Sequence, residues 1–236
     1  LSKNTNLRWL DCTINSLTKL DLKNNVNLEY LRCQSNKLTD IDLSSNLKLT
    51  SLDLYNNLLT SLDVSKNTAL VSLNCSKNKL EELDVSSNTA LTKFWCNFCS
   101  LEKLNVSNNI ALEVLYCENN RLTELDISNS PALVSLGTSG NLLPDIDLSQ
   151  NSALTYFSCG GNGLTELDLS GTQVERVDYT NDSFSSDNGI DVGTKYPQNT
   201  SLELTDSAGR WTADLSSVIS PENLGKVANL SAGTYD

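Results

Sequence analysis

Leucine returns at a fixed interval of 21 residues, at Leu7, Leu28, Leu49, Leu70, Leu91, Leu112, Leu133 and Leu154. Counted from these leucines, position 11 is Leu in all eight units, and position 4 is Leu or, at Phe94 and Phe157, Phe. Position 6 is Cys in six units (Cys12, Cys33, Cys75, Cys96, Cys117, Cys159), and position 9 is Asn in seven. The unit reads LxxLxCxxNxLTxLDxSxNxx. So short a unit cannot close a core alone, and it buries its apolar side only against the copies before and after it. The period therefore dictates a stack.

Each column has a physical reason. Positions 4 and 6 flank an outward residue, so both point to one side of a short strand and form the core. Asn at position 9 sits where the chain leaves the strand. Its amide has the donors and the acceptor to satisfy turn peptides that no ladder reaches, and Asn36, Asn78 and Asn120 read as structural. The remaining eleven residues or so are too few for a strand turn, a full helix and a return. The opposite side should therefore be extended or 3₁₀, and the curvature shallow. The unit fits the leucine-rich repeat template, so the expected fold is a β-rich leucine-rich repeat solenoid with a short β-containing C-terminal flank.

Two columns admit a second reading. Position 15 is Asp in seven units, with Asn105 in the fifth, and stacked carboxylates repel. Ser at position 17 or nearby backbone donors should compensate; a calcium row is the alternative, although calcium loops gather their carboxylates locally. Cys96 and Cys99 form a CxxC. The chain has seven Cys and no His, so zinc would lack its remaining ligands. Cysteines stacked one per turn point the same way and read as buried thiols, a Cys96–Cys99 disulfide being the alternative.

Composition removes whole classes of function. Without His there is no Ser/His/Asp or Cys/His relay and no HExxH site, so the chain reads as no enzyme and as needing no cofactor. A net charge of -12 argues against nucleic acid as partner. No apolar run approaches the ~20 residues of a membrane span, so no membrane insertion is expected.

Aromatic placement carries the functional signal. Residues 7 to 173 hold nine aromatics, of which Phe94 and Phe157 are core. Trp9, Tyr30, Tyr55, Trp95, Phe98, Tyr116 and Tyr156 all fall at positions 3, 5, 7 or 8, on or just after the strand, and none falls in positions 12 to 21. Such confinement to one face marks an interaction surface, against the plainer account that outward aromatics favour strands. Arg32, Lys93 and Glu113 join the set, the last two as opposite charges edging a platform of Trp95 and Tyr116. The small residues Gly137, Ser139, Gly140, Ser158 and Gly160 should leave a hollow between Tyr116 and Tyr156. Departures from the pattern concentrate in the fifth unit, Leu91 to Ala111, which is the expected centre of binding. Lys77 reads as an ordinary surface lysine.

With its Cys at position 6, the unit, nearly intact in Leu70 to Ala90, resembles the 21-residue, cysteine-bearing branch of the internalin-like bacterial leucine-rich repeat proteins. The resemblance covers residues 1 to 184. It implies a right-handed superhelix, a concave recognition face, and a secreted or cell-surface location with a role in adhesion. The expected partner is a protein, host or bacterial, bound on the concave face. A glycan on the same aromatics and a rigid structural spacer are the alternatives.

The array is assigned to residues 1–173, and 174–236 to a C-terminal half repeat, cap and flanking module. Val174, Val177, Tyr179 and Phe184 reproduce positions 1, 4, 6 and 11. Strands are expected at Ser201 to Thr205 and Arg210 to Leu215, and a short helix from Ser220-Pro221 to Val227. Leu1, Ser2 and Asn4 match positions 16, 17 and 19, so the natural chain is expected to continue upstream, and past Asp236 as well.

Overall fold

The computed structural model describes residues 1–164, 166–174, 176–178, 203–206 and 211–214. Positions 3 to 5 of each unit form a three-residue strand: β1 (Trp9–Asp11), β2 (Tyr30–Arg32), β3 (Ser51–Asp53), β4 (Ser72–Asn74), β5 (Lys93–Trp95), β6 (Val114–Tyr116), β7 (Ser135–Gly137) and β8 (Tyr156–Ser158). All pair in parallel with an offset of one unit, as in Leu73↔Phe94 and Trp95↔Tyr116. A ninth strand follows β8 in the same sheet. It is β10 (Arg176–Asp178), which sets Val177 opposite Phe157 as the half repeat requires. The molecule is a leucine-rich repeat solenoid of parallel strands.

Inside the coil the apolar columns stack. The leucines at position 1 from Leu28 to Leu154 are fully buried, as are Leu31, Leu52, Leu73 and Phe94 at position 4 and Leu22, Val64 and Ile127 at position 16. Each such side chain contributes about 1.5–3 kcal/mol by leaving water. Opposite the sheet there is no helix among the described residues. Each of the first seven units instead makes two successive i→i+3 turns, for example Asn67 N–H to Val64 C=O at 2.9 Å and Leu70 N–H to Asn67 C=O at 3.1 Å. This back side is extended in the eighth unit too, where β9 (Glu166–Asp168) accepts β12 (Trp211–Asp214) as an antiparallel neighbour, and β11 (Glu203–Asp206) pairs with β12. The two strands expected near residues 201–205 and 210–215 thus meet the back of the last full repeat. The helix expected from Ser220, together with Tyr179 and Phe184, lies outside the described residues.

Two columns of asparagine hold the coils in register. At position 9, Asn78 Nδ2 donates to Leu54 C=O at 3.0 Å in the preceding unit and to Cys75 C=O at 2.8 Å in its own. Its Oδ1 accepts the Leu59 N–H at 3.0 Å. Asn36, Asn57, Asn120 and Asn141 repeat the arrangement. Position 19 carries a second column, in which Asn88 Nδ2 donates to Val64 C=O at 3.0 Å and Asn67 C=O at 2.9 Å. These amides act as donors only: their Oδ1 atoms are buried and have no protein partner. Ser130 occupies the column in the sixth unit and lacks the amide.

Between the columns, position 8 takes a left-handed φ in every unit, from Ile14 (53°) through Lys77 (54°) and Phe98 (55°) to Gly161 (75°). This single twist turns the chain out of the strand toward Asn at position 9. Six of the eight residues here are not glycine, and each carries the strain of that conformation.

The aspartates at position 15 serve the turns. Each accepts the N–H of position 17, as in Ser86 to Asp84 at 2.8 Å and Ser149 to Asp147 at 2.8 Å, and Asn105 accepts Ser107 N–H at 2.9 Å in the fifth unit. The serine hydroxyl and N–H hold Asp42, Asp63, Asp84 and Asp126 below the ordinary carboxylate value of 3.8. No cluster of three metal-ligating side chains occurs among the described residues.

Two outcomes follow. Asn78→Ala should destabilise the array by about 1–3 kcal/mol by orphaning three backbone groups, while Lys77→Ala should cost less than about 1, as denaturant midpoints will report. Depressed aspartate pKa values give stability that is present above pH 3.8 and lost as pH falls below it. Acid titration should therefore show unfolding below that pH, and Asp84→Asn, which keeps the turn bond as Asn105 does, should make the loss shallower.

Candidate recognition face

The outward residues of positions 3, 5, 7 and 8 share one face of the nine-stranded sheet, because side chains alternate along each strand and every unit repeats the same register. Of the seven aromatics predicted for this face, six lie on it in three pairs, and Trp95 stands apart from them. At the start of the array Trp9, 53% exposed, stacks on Tyr30 with centroids 5.0 Å apart, and the Arg32 guanidinium sits 5.5 Å from the Trp9 ring. In the middle, Lys77 Nζ stands 5.6 Å from the centroids of both Tyr55 and Phe98. Toward the other end, Tyr116 and Tyr156 approach to 6.4 Å at 52°.

Trp95 lies between two hollows and lines both. The larger, about 380 Å³, is bounded by Tyr55, Asn74, Ser76, Lys77, Trp95, Asn97 and Phe98. The smaller, about 270 Å³, is bounded by Arg32, Ser51, Leu52, Asp53, Ser72, Asn74 and Trp95. Burial raises the Asp53 carboxyl above the ordinary range, against the lowering pull of the Tyr55 N–H and the Gln34 amide that bond it. Lys93 and Glu113 are both exposed, Lys93 in strand β5 beside Trp95 and Glu113 just before strand β6.

One expectation needs correction. The hollow expected between Tyr116 and Tyr156 is filled by Tyr116 itself, whose ring leans over Gly137: a Cβ on that glycine would lie 2.2 Å from Tyr116 Cδ1. The tyrosine hydroxyl shares a hydrogen bond of 2.7 Å with Ser135 Oγ. Tyr116 thus turns toward Tyr156, and the open space lies on the other side of Trp95. Residues not foreseen as part of the face, Asn74, Ser76 and Asn97, line that space, as does Lys77, which read as ordinary surface. Asn74 is the register partner of Trp95, so the 21-residue offset alone held the signal for it.

The fifth unit breaks the repeat. In other units the N–H of position 10 donates to the position 11 carbonyl of the preceding coil, as in Lys79 to Leu59 at 2.8 Å and Arg121 to Leu101 at 2.8 Å. Ser100 leaves this series and takes a left-handed φ of 70°. Cys99 replaces the asparagine of position 9, and its Sγ donates to Cys75 C=O at 3.2 Å in place of the amide. No side-chain carbonyl remains there for Leu80 N–H.

The thiols stay apart from this face. All seven are free, and all but Cys12 are buried. Burial pushes Cys96 up strongly and Cys117 to about 12; for Cys75 the contact with Cys99 leads and burial adds. Groups so disfavoured as thiolates are poor nucleophiles and poor metal ligands.

No family model and no curated protein matches the chain. Among solved structures, the functional domain of InlJ from Listeria monocytogenes, which includes a cysteine ladder, is 41% identical with a TM-score of 0.69, over 75% of this chain and 44% of that one. Internalin InlF of the same species is 24% identical with a TM-score of 0.70, over 76% and 56%, and shares the fold. The leucine-rich repeat ectodomain of an Arabidopsis thaliana receptor kinase, GASSHO1/SCHENGEN3, solved in complex with Casparian strip integrity factor 2, is 28% identical with a TM-score of 0.65, over 70% and 22%. This chain thus spans less than half of the InlJ structure.

The placement of Tyr116 is open to test. Gly137→Val should swing its ring off the sheet, abolishing the nuclear Overhauser contacts between Tyr116 and Tyr156 while changing stability by less than about 1 kcal/mol. Retained contacts would mean that the ring lies elsewhere.

Proposed function

Because the chain is an internalin-like leucine-rich repeat protein of the cysteine-bearing type, we propose that it is a non-enzymatic recognition module of a bacterial cell-surface or secreted protein, binding a protein partner on its concave face. Leucine-rich repeat arrays of this kind are protein-interaction modules. The observation that carries the finer reading is the gathering of seven non-core aromatics and two hollows on one face of the sheet. Half-buried Trp and Tyr gain most from burial against a partner, because they bring large apolar area with little conformational freedom to lose. No helix among the described residues is long and apolar enough to cross a membrane.

A second reading rests on the polar residues around Trp95. Asn74 and Asn97 beside an indole ring suit a sugar face as well as a peptide, so a glycan is the alternative occupant. A glycan array run beside capture from host-cell or bacterial lysate separates the two. For the partner so captured, Trp95→Ala or Tyr116→Ala should weaken binding at least about thirtyfold with the fold intact, the loss of about 2 kcal/mol typical of one central anchor. Lys66→Ala, at position 18 on the back of the coil, should leave binding unchanged. Loss with Lys66→Ala and retention with Trp95→Ala would refute the concave-face reading.

A further inference from the structure

We propose that the hollow between Tyr55, Trp95 and Phe98 is a subsite for a carboxylate, the side chain of a Glu or Asp presented by the protein partner. The proposal rests on the concave-face reading and adds to it the chemistry of the anchor. Its basis is which polar atoms the fold leaves open. Asn74 Oδ1 is occupied by the Ser76 N–H at 3.1 Å, Ser76 Oγ by the Asn97 N–H at 3.1 Å, and Asn97 Oδ1 by the Glu118 N–H at 2.8 Å. The side-chain oxygens of Asn74, Ser76 and Asn97 are thereby engaged with backbone donors of the array. What these side chains keep to offer is donors, the Nδ2 groups of Asn74 and Asn97 and the Lys77 ammonium, and all three residues line the same space. A group entering there must bring acceptors.

Charge narrows the class from acceptors in general to an anion. Lys77 Nζ is held over two rings, 5.6 Å from Tyr55 and 5.6 Å from Phe98, so the cation is fixed at the rim with little freedom to lose. Hydrogen bonds from an ammonium to a carboxylate are about twice as strong as neutral ones. The chain's net charge of -12 opposes an acidic partner at long range, but that field is screened beyond ~8 Å at physiological salt, whereas Lys77 acts at contact. The aromatic walls suit the methylenes that carry the carboxylate. At about 380 Å³ the space falls at the small end of ligand pockets and fits one side chain rather than a long segment. Its position at the broken fifth unit agrees. There position 8 carries an aromatic, Phe98, whose ring faces Lys77, and the departure from the repeat lies two residues on, at Ser100 with its φ of 70°.

Titration of the intact chain with N-acetylglutamate amide, its glutamine counterpart and N-acetylglucosamine tests the assignment by nuclear magnetic resonance. The glutamyl probe should shift the Asn74 and Asn97 side-chain amides and the Trp95 indole saturably, with an affinity at least about tenfold above that of the neutral glutamine probe. Lys77→Gln should erase that preference with the backbone spectrum otherwise kept, and Lys66→Gln should not. Equal response to the two amino-acid probes, no response, or preferential binding of N-acetylglucosamine overturns the carboxylate subsite. If the glutamyl probe fails while Trp95→Ala still abolishes partner capture, the subsite falls and the concave-face reading stands. If the probe binds as described and Trp95→Ala leaves capture intact, the reading falls and the pocket chemistry stands.

Discussion

Side-chain amides complete the hydrogen bonds that a coil of three-residue strands leaves open, and the rest of the structure depends on them. The parallel strands pair only positions 3 to 5, and the backbone bonds between coils that continue to positions 8 and 10 still leave turn peptides unmet. Beyond the strands the chain turns sharply inside a dry core, where an unmet peptide group costs about 1–3 kcal/mol. Asn at position 9 meets that demand with one group of the right shape, giving two protons and taking one. Since its partners lie in two successive coils, each amide fixes turn geometry and inter-coil register together. The second column, at position 19, faces only carbonyls and acts only as donor, which leaves its own buried oxygens unpartnered. The apolar columns supply the driving force for stacking, but leucine against leucine tolerates sliding. The amides do not.

The same rule explains where the molecule departs from regularity. Cys99 gives its thiol proton to the Cys75 carbonyl and so replaces one of asparagine's two donations. The acceptor for Leu80 N–H goes missing, and the chain departs from the repeat at Ser100. The same unit carries Phe98 against Lys77 and Trp95 beside the hollow. Irregularity and candidate site thus share one unit of the array, Leu91 to Ala111.

Most of the architecture was legible in the sequence because its determinants are periodic. The 21-residue spacing sets the strand register directly, the Cys and Leu columns mark the core, and the Asn of position 9 declares its role by standing at the strand exit. The Asn of position 19 was nearly as regular, yet its role depends on which carbonyls face it across a turn, and turn geometry has no signature in the pattern. The face of the site was legible too, from aromatics restricted to positions 3, 5, 7 and 8. Its shape was not. Residue size suggested a gap over Gly137, and the Tyr116 rotamer filled it. Lys77 looked like surface because a flexible cation at a left-handed position can point anywhere until Tyr55 and Phe98 fix it.

Backbone amide hydrogen exchange under native conditions tests the central claim most directly. Leu38, Leu59, Leu101 and Leu122 donate their N–H groups to asparagine Oδ1 atoms, while Leu80 in the same column faces Cys99. If amides close the coils, the four leucines should exchange only on global unfolding and Leu80 should exchange at least about tenfold faster, despite equal burial of its side chain. Equal protection at Leu80 and Leu59 would show that burial alone holds the coils and that the asparagine columns are incidental.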